Sequence, residues 1–423
     1  MNKSVLALLM FVSTFALGQD ATASASAGLS SAAQSLAEAR KNIAENPTLY
    51  SAYNRLAMAL LRRARETSEA SYYAQAAEAV EKSLQLAPNN FDAQKIKVSI
   101  LLSQHEYPAA LQAAKTLNRR VPDDVMVYGL LTDANVELGN YSDAEKSAQW
   151  MLNLRPGNLP ALTRAAHLRE LFGDAEGAYE LFDLAYQSTP STDSDERAWI
   201  LTQMGHLRFA SGNLAAAEKL LQQALTTLPG HLSATGNLAQ VRIAQKRYQE
   251  AIFLLQQRNQ SALRPAANLY ELAEALQSAG HFDDANKVFG EFEAKALQES
   301  DNKDNSNCAL VFYYADHARQ PGKALKVAEQ EYAWHHDLYT LDAYAWALHV
   351  NGRDIEARKQ IEVALAVGIR DAKLFRHAGV IALKTGDRTS AELYLKQSSD
   401  LDSADSEQAR NILVGLASKP EHK

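Results

Sequence analysis

Seven side chains in the last third of the chain could act together chemically: Tyr313, Asp316, His317, Tyr339, Asp342, Trp346 and His349. His335-His336-Asp337 lies between the two groups. Histidine and aspartate are natural ligands for zinc or nickel, so one reading is a site that handles a metal ion. Tyrosine and tryptophan concentrate at the energetic centres of protein interfaces, so a second is an aromatic, mildly polar surface for a peptide or protein partner. A third is ordinary helix packing with scattered histidines. Tight metal spacing, such as His at i and i+4 with a third ligand close by, is missing from the sequence. The chain also lacks a G-x-S-x-G nucleophile turn, a P-loop and an H-E-x-x-H pair. Its carboxylates are plentiful and read as solvated helix faces with i,i+4 partners. Neither a catalytic set nor a cofactor is expected.

What must position these residues is periodic. Pro88, Pro122, Pro156 and Pro190 stand 34 residues apart, and Ala76, Ala110, Ala144 and Ala178 keep step with them. The alanine series continues through Ala217, Ala251, Ala285, Ala324, Ala357 and Ala391, at spacings of 39, 34, 34, 39, 33 and 34. A fixed period of this size marks stacked repeats. The stretch 125–156 shows one unit. Tyr128, Leu131, Thr132 and Asn135 mark one helix face, Gly139-Asn140 interrupts, and Ala144, Ala148, Met151 and Leu152 form the inner stripe of a second helix. Arg155-Pro156 closes it, because proline cannot continue a helix. Two short helices cannot bury both faces alone, so each unit must stack on the next.

Tyr128, Leu131, Gly139, Tyr141, Ala144 and Pro156 resemble the tetratricopeptide repeat, with its large residue, Leu-Gly, Tyr, Ala and Pro at set offsets. Neighbouring units supply Gly173 and Phe182, Met204-Gly205 with Gly212, Gly280 with Phe289, and Ala378-Gly379 with Gly386. The resemblance implies an all-α, right-handed α-solenoid of about ten helix pairs with a capping helix at each end. It implies a concave groove lined by the first helix of each pair, where protein or peptide partners bind. In the first half that surface would carry Asp92, Lys95, Ser99, Asp133, Thr163, His167, Trp199 and His206. Lys95 stands where the family's carboxylate clamp begins, but Ser99 and Leu130 occupy places that need Asn, so that clamp is not expected. In the second half the groove face would carry the seven residues named first, with Trp346 as the anchor that a partner covers. The stretch 337–353, DLYTLDAYAWALHVNGR, resembles the last repeats of exported bacterial repeat proteins.

The ends and breaks set the domain plan. Lys3, the apolar run Val5 to Ala16 and Ala16-Leu17-Gly18 predict a signal peptide over 1–18, cleaved before Gln19, and hence a periplasmic or secreted protein. The apolar run is shorter than the roughly 20 residues of a membrane span, and no later stretch is apolar enough to span. A flexible leader over 19–28 would precede a first array over 29–298. The stretch 299–307, ESDNKDNSN, has no apolar residue and reads as a loop or hinge before a second array over 308–404 and a capping helix and tail over 405–423. A net charge of −7 argues against nucleic acid, which calls for a basic stripe. The single cysteine, Cys308, cannot form an internal disulfide and reads as a small buried hydrophobe beside Leu310, Val311 and Phe312.

Overall fold

A computed structural model describes residues 31–67, 69, 71–260, 266–300, 307–401 and 404–418. The expected signal peptide, the leader and most of the polar stretch 299–307 lie outside the described residues. Within them the chain is helical, with no strand. Helix α1 (Ser31–Glu45) is followed by ten pairs. They are α2 (Tyr50–Thr67) with α3 (Ser71–Leu86), α4 (Phe91–Ser103) with α5 (Tyr107–Arg120), and α6 (Val125–Glu137) with α7 (Tyr141–Leu154). Then come α8 (Leu159–Leu171) with α9 (Ala175–Ser188), α10 (Ser194–Ala210) with α11 (Leu214–Thr227), and α12 (Leu232–Ala244) with α13 (Tyr248–Arg258). The series ends with α14 (Ala266–Ser278) and α15 (Phe282–Ser300), α16 (Cys308–Phe312) and α17 (Pro321–Tyr332), α18 (Leu338–Val350) and α19 (Asp354–Leu365), and α20 (Ala372–Lys384) and α21 (Arg388–Ser399). Helix α22 (Ala404–Ala417) closes the array, and a π-helical turn, Tyr313–His317, extends α16.

The proline ruler works through caps. Helices α3, α5 and α7 end two residues before Pro88, Pro122 and Pro156, and Asn90, Asp124 and Asn158 then cap the next helix. Asp124 accepts from Val127 N at 3.0 Å and Asn158 from Ala161 N at 3.0 Å, which satisfies amide groups that a helix start leaves unpaired. The alanine ruler marks helix contact: all ten alanines are buried. Gly205 and Gly379 show where, because a Cβ on either would press into Leu221 or Leu395 and approach the carbonyl of Ala217 or Ala391.

Among the described residues, nine units carry a left-handed residue between their two helices. Six are Gly139, Gly173, Gly212, Gly280, Gly352 and Gly386; His105, Lys246 and Arg319 fill the other three. A side chain at positive φ costs about 1–2 kcal/mol. Arg319, at φ 52°, makes no hydrogen bond or ion pair with a described residue. Arg319→Gly is therefore expected to stabilise the protein by about 1 kcal/mol, read as a higher denaturant midpoint at unchanged slope.

The array also closes on itself, which the repeat pattern did not announce. One apolar cluster joins Ala144, Ala148, Leu168 and Leu171 to Leu338, Leu341, Leu348 and Ile369. Leu338 N donates to the Tyr141 hydroxyl at 3.0 Å, and the His335 ring lies 5.3 Å from that of Tyr107. Gly139 and Gly173 sit in this seam: a Cβ on them would come within 2.6 and 2.5 Å of the carbonyl oxygens of His336 and Gly368. Further contacts bridge distant units: Ala32 N donates to Asp195 at 3.2 Å. Arg62 pairs with Asp193 at 3.3 Å, and Lys246 with Glu407 at 3.1 Å. A separate apolar cluster runs unbroken from Ala239 to Ala347, on both sides of the polar stretch 299–307.

Candidate functional site

The closed array surrounds a central cavity of about 1250 Å³. First helices form its wall: Glu170 on α8, His206 on α10, Gln240 on α12, Glu274 on α14, Phe312 on α16, Tyr339 on α18 and Lys373 on α20, with Asp405 added by α22. The groove of the sequence reading is thus present, but curled into a chamber.

Of the seven C-terminal residues, Asp316, His317, Tyr339, Asp342 and Trp346 line this cavity. The expectation that all seven share one face needs correction, because Tyr313 and His349 turn elsewhere. The Tyr313 hydroxyl donates to Glu293 at 3.2 Å, and its ring packs on Phe289 and Phe292. His349 Nδ1 pairs with Asp354 at 2.6 Å. The π turn helps set Asp316 and His317 on the wall; such turns recur at functional sites. Lys95, Asp133 and Trp199 do not reach the cavity. Lys95 is bound by Asp124 at 2.9 Å and Asp92 at 3.0 Å, Asp133 takes both arms of Arg164 at 2.7 and 2.6 Å, and Trp199 meets Phe182 edge to face at 6.0 Å.

Trp346 is covered by its own neighbours rather than left bare for a partner. It is 7% exposed, its Nε1 donates to Asp316 at 2.8 Å, and its indole stacks on the His377 ring at 4.1 Å. Beneath it, Arg376 donates to His377 Nε2 at 3.0 Å and to Asp405 at 2.8 Å. That leaves the other ring nitrogen, Nδ1, to donate to Asp342 at 2.7 Å. Burial keeps the imidazole from charging and pushes the Asp342 carboxyl up to about 7. Buried polar groups are tolerated only when satisfied, and here each has a partner.

Tyr339 is the contrast. It is 47% exposed, lines the cavity, and its hydroxyl makes no hydrogen bond with a described residue. Cys308, half-buried, packs against the apolar cluster of Leu310, Val311 and Phe312 and also lines the cavity beside Tyr339. Among the described residues no three His, Cys, Asp or Glu side chains come together as a set that could hold a metal ion.

Glu170 links two wall helices. His206 Nε2 lies 3.1 Å from its carboxylate and His167 Nδ1 3.5 Å. Burial pushes the carboxyl up, but the bonds and charge of His167 and His206 outweigh it and hold it at about 2. His206 moves the opposite way: burial lowers it, Glu170 outweighs burial, and its affinity for the proton is raised. A lowered acid stabilises the fold above its ordinary value of 4.5, and this is lost as pH falls through about 2. A raised histidine stabilises it below its ordinary 6.5, and this is lost as pH rises. His206→Gln should therefore destabilise most between pH 4.5 and 6.5 and progressively less above neutrality, as thermal melts across pH will show.

Sequence reasoning missed Glu274, Lys373, Arg376 and His377. The repeat period itself held a signal: one step of 34 from Tyr339, Asp342 and Ala343 lands on Lys373, Arg376 and His377.

The chain's similarities to known proteins follow this geometry. A tetratricopeptide-repeat model matches residues 208–267, from the end of α10 past α13. The TPR repeat-containing protein MJ1428 of Methanocaldococcus jannaschii is 30% identical over 122 residues, 28% of this chain and 21% of that protein. The chain thus spans about a fifth of that relative's length. Among solved structures, the human IFIT1 dimer with m7Gppp-AAAA shares 14% identity, covers 86% of this chain and 84% of its own, and gives a TM-score of 0.48. The APC/C hetero-tetramer Cut9-Hcn1 shares 15% identity over 77% of this chain and 55% of its own, with a TM-score of 0.45.

Proposed function

We propose, on the premise that this chain is a tetratricopeptide-repeat protein, that it is a non-enzymatic binding protein whose central cavity receives an extended segment of a protein partner. A cavity of about 1250 Å³ is somewhat larger than the roughly 300–1,000 Å³ of small-molecule sites, and is too small to enclose a folded domain. The observation that carries the reading is Tyr339: a large aromatic ring half-exposed on the cavity wall beside a tryptophan whose needs are met internally. Rigid aromatic rings of this kind anchor partners at little entropic cost. The test is selection of short random peptides on the purified protein, repeated on Tyr339→Ala. Loss of more than about 1 kcal/mol for the selected peptides, with an unchanged melting temperature, supports the reading. Equal affinity for the variant counts against it.

We also propose that the protein is exported. The charge and apolar run of residues 3–18 support this reading. N-terminal sequencing of envelope protein should begin near Gln19, and recovery of Met1 would contradict it.

A further inference from the structure

Most charges on the cavity wall are closed in pairs. Arg376 holds Asp405 at 2.8 Å, Glu271 takes Arg258 at 2.6 Å, and Glu170 takes His206 at 3.1 Å. Lys373 differs. Its ammonium lies over the Phe312 ring, 4.7 Å from the centroid, and forms no ion pair or hydrogen bond with a described residue. Glu274, on the same wall but separated by α16 and α18, is the carboxylate that acts on it most strongly. Among the described residues Glu274 has His317 at 3.9 Å and the Tyr270 hydroxyl as partners. Lys373 and Glu274 are thus opposite charges that face one cavity without closing on each other. The nearby acids have other duties: Asp316 holds the Trp346 indole, and Asp371 caps α20 at Leu374 N, 2.7 Å away.

We infer that the cavity takes a segment of mixed charge, which sets a carboxylate on Lys373 and an ammonium or guanidinium on Glu274 while its apolar part covers Tyr339. This deepens the binding role proposed above and rests on it. A uniformly acidic segment would meet Glu274, Asp316, Asp371 and Asp405. A uniformly basic one would meet Lys373 and Arg370 and leave both without a counter-charge. Only a segment carrying both signs completes both halves, and each direct charged hydrogen bond is worth about tenfold or more in affinity.

The test is calorimetric titration of the full chain with three peptides that share a length and one aromatic residue but are mixed, acidic or basic. The mixed peptide should bind about tenfold more tightly than either other. Lys373→Met should weaken it by about tenfold, yet barely affect a mixed peptide whose carboxylates are replaced by amides; that non-additivity reports a direct contact. Glu274→Gln with a peptide lacking its cation gives the matching cycle, and stands alone if Lys373→Met does not fold. A C-terminally amidated peptide tells a side-chain carboxylate from a terminal one, and either source fulfils the inference if the Lys373 cycle holds. Equal binding of the three peptides, or additive losses in both cycles, overturns the charge assignment and leaves the binding role standing. Failure of all three to bind overturns both.

Discussion

Trp346→Ala is expected to cost about 3–5 kcal/mol of stability, the range for truncating a well-packed aromatic residue. The loss has two sources. The indole leaves a hole against the buried face of His377, 4.1 Å between ring centroids. It also removes the donor that fixes Asp316 at 2.8 Å. Asp342, His377, Arg376 and Asp405 depend on close packing above them, because a polar network that is partly exposed loses the geometry that compensated its burial. Trp346→Phe should recover much of the packing but not the hydrogen bond, and fall between the two. Chemical denaturation gives the values. A Trp346→Ala variant as stable as the parent would mean that the indole neither packs on His377 nor holds Asp316 in solution.

The second large effect concerns closure. Gly139 and Gly173 have φ of 71° and 83°, and Gly280 has 82°. All three should lose about 1–2 kcal/mol to left-handed strain on conversion to Ala. At Gly280 nothing lies within 4 Å of the new Cβ, so strain is the whole cost. At Gly139 and Gly173 the Cβ would also strike the backbone carbonyls of His336 and Gly368, and backbone cannot swing away as a side chain can. The double variant Gly139→Ala, Gly173→Ala should therefore lose at least about 2–4 kcal/mol from strain alone. It should also part the seam between the two sets of units, visible as a larger radius of gyration in small-angle scattering. Gly280→Ala should leave that radius unchanged. Equal radii for both variants would show that the seam does not hold the array closed in solution.

The residues that were legible in the sequence are those whose roles repeat. Alanines at helix crossings, prolines after second helices and glycines in left-handed turns recur at one period, and the ten pairs with a helix at each end follow from them. The chamber was not legible, because closure depends on small rotations accumulated over several units and on contacts such as the one between Leu338 and Tyr141, 197 residues apart. No local pattern encodes them. The site residues were half visible for the same reason. Asp316, His317, Tyr339, Asp342 and Trp346 fell on the lining because the first-helix rule found their face. Tyr313 and His349 follow the same spacing but are drawn off by partners the spacing does not show, Glu293 and Asp354. Burial of Trp346 came from His377, which the repeat period places on the equivalent face one unit further on but whose stacking no spacing specifies. Lys95 and Asp133 looked free in sequence because their partners, Asp124 and Arg164, stand 29 and 31 residues away in the next unit.

The central claim is that an extended segment binds inside the chamber rather than on the outer faces. A photoreactive residue in place of Tyr339 tests it most directly, with a second placed at Trp150, which is exposed and outside the cavity wall. Both proteins are irradiated with peptides selected on the parent, and the linked fragments are mapped by mass spectrometry. The predicted result is efficient crosslinking from position 339 and none from 150, with the yield at 339 falling when Lys373→Met is added. Crosslinking from 150 but not from 339 would place the binding surface on the outside of the solenoid and contradict the account.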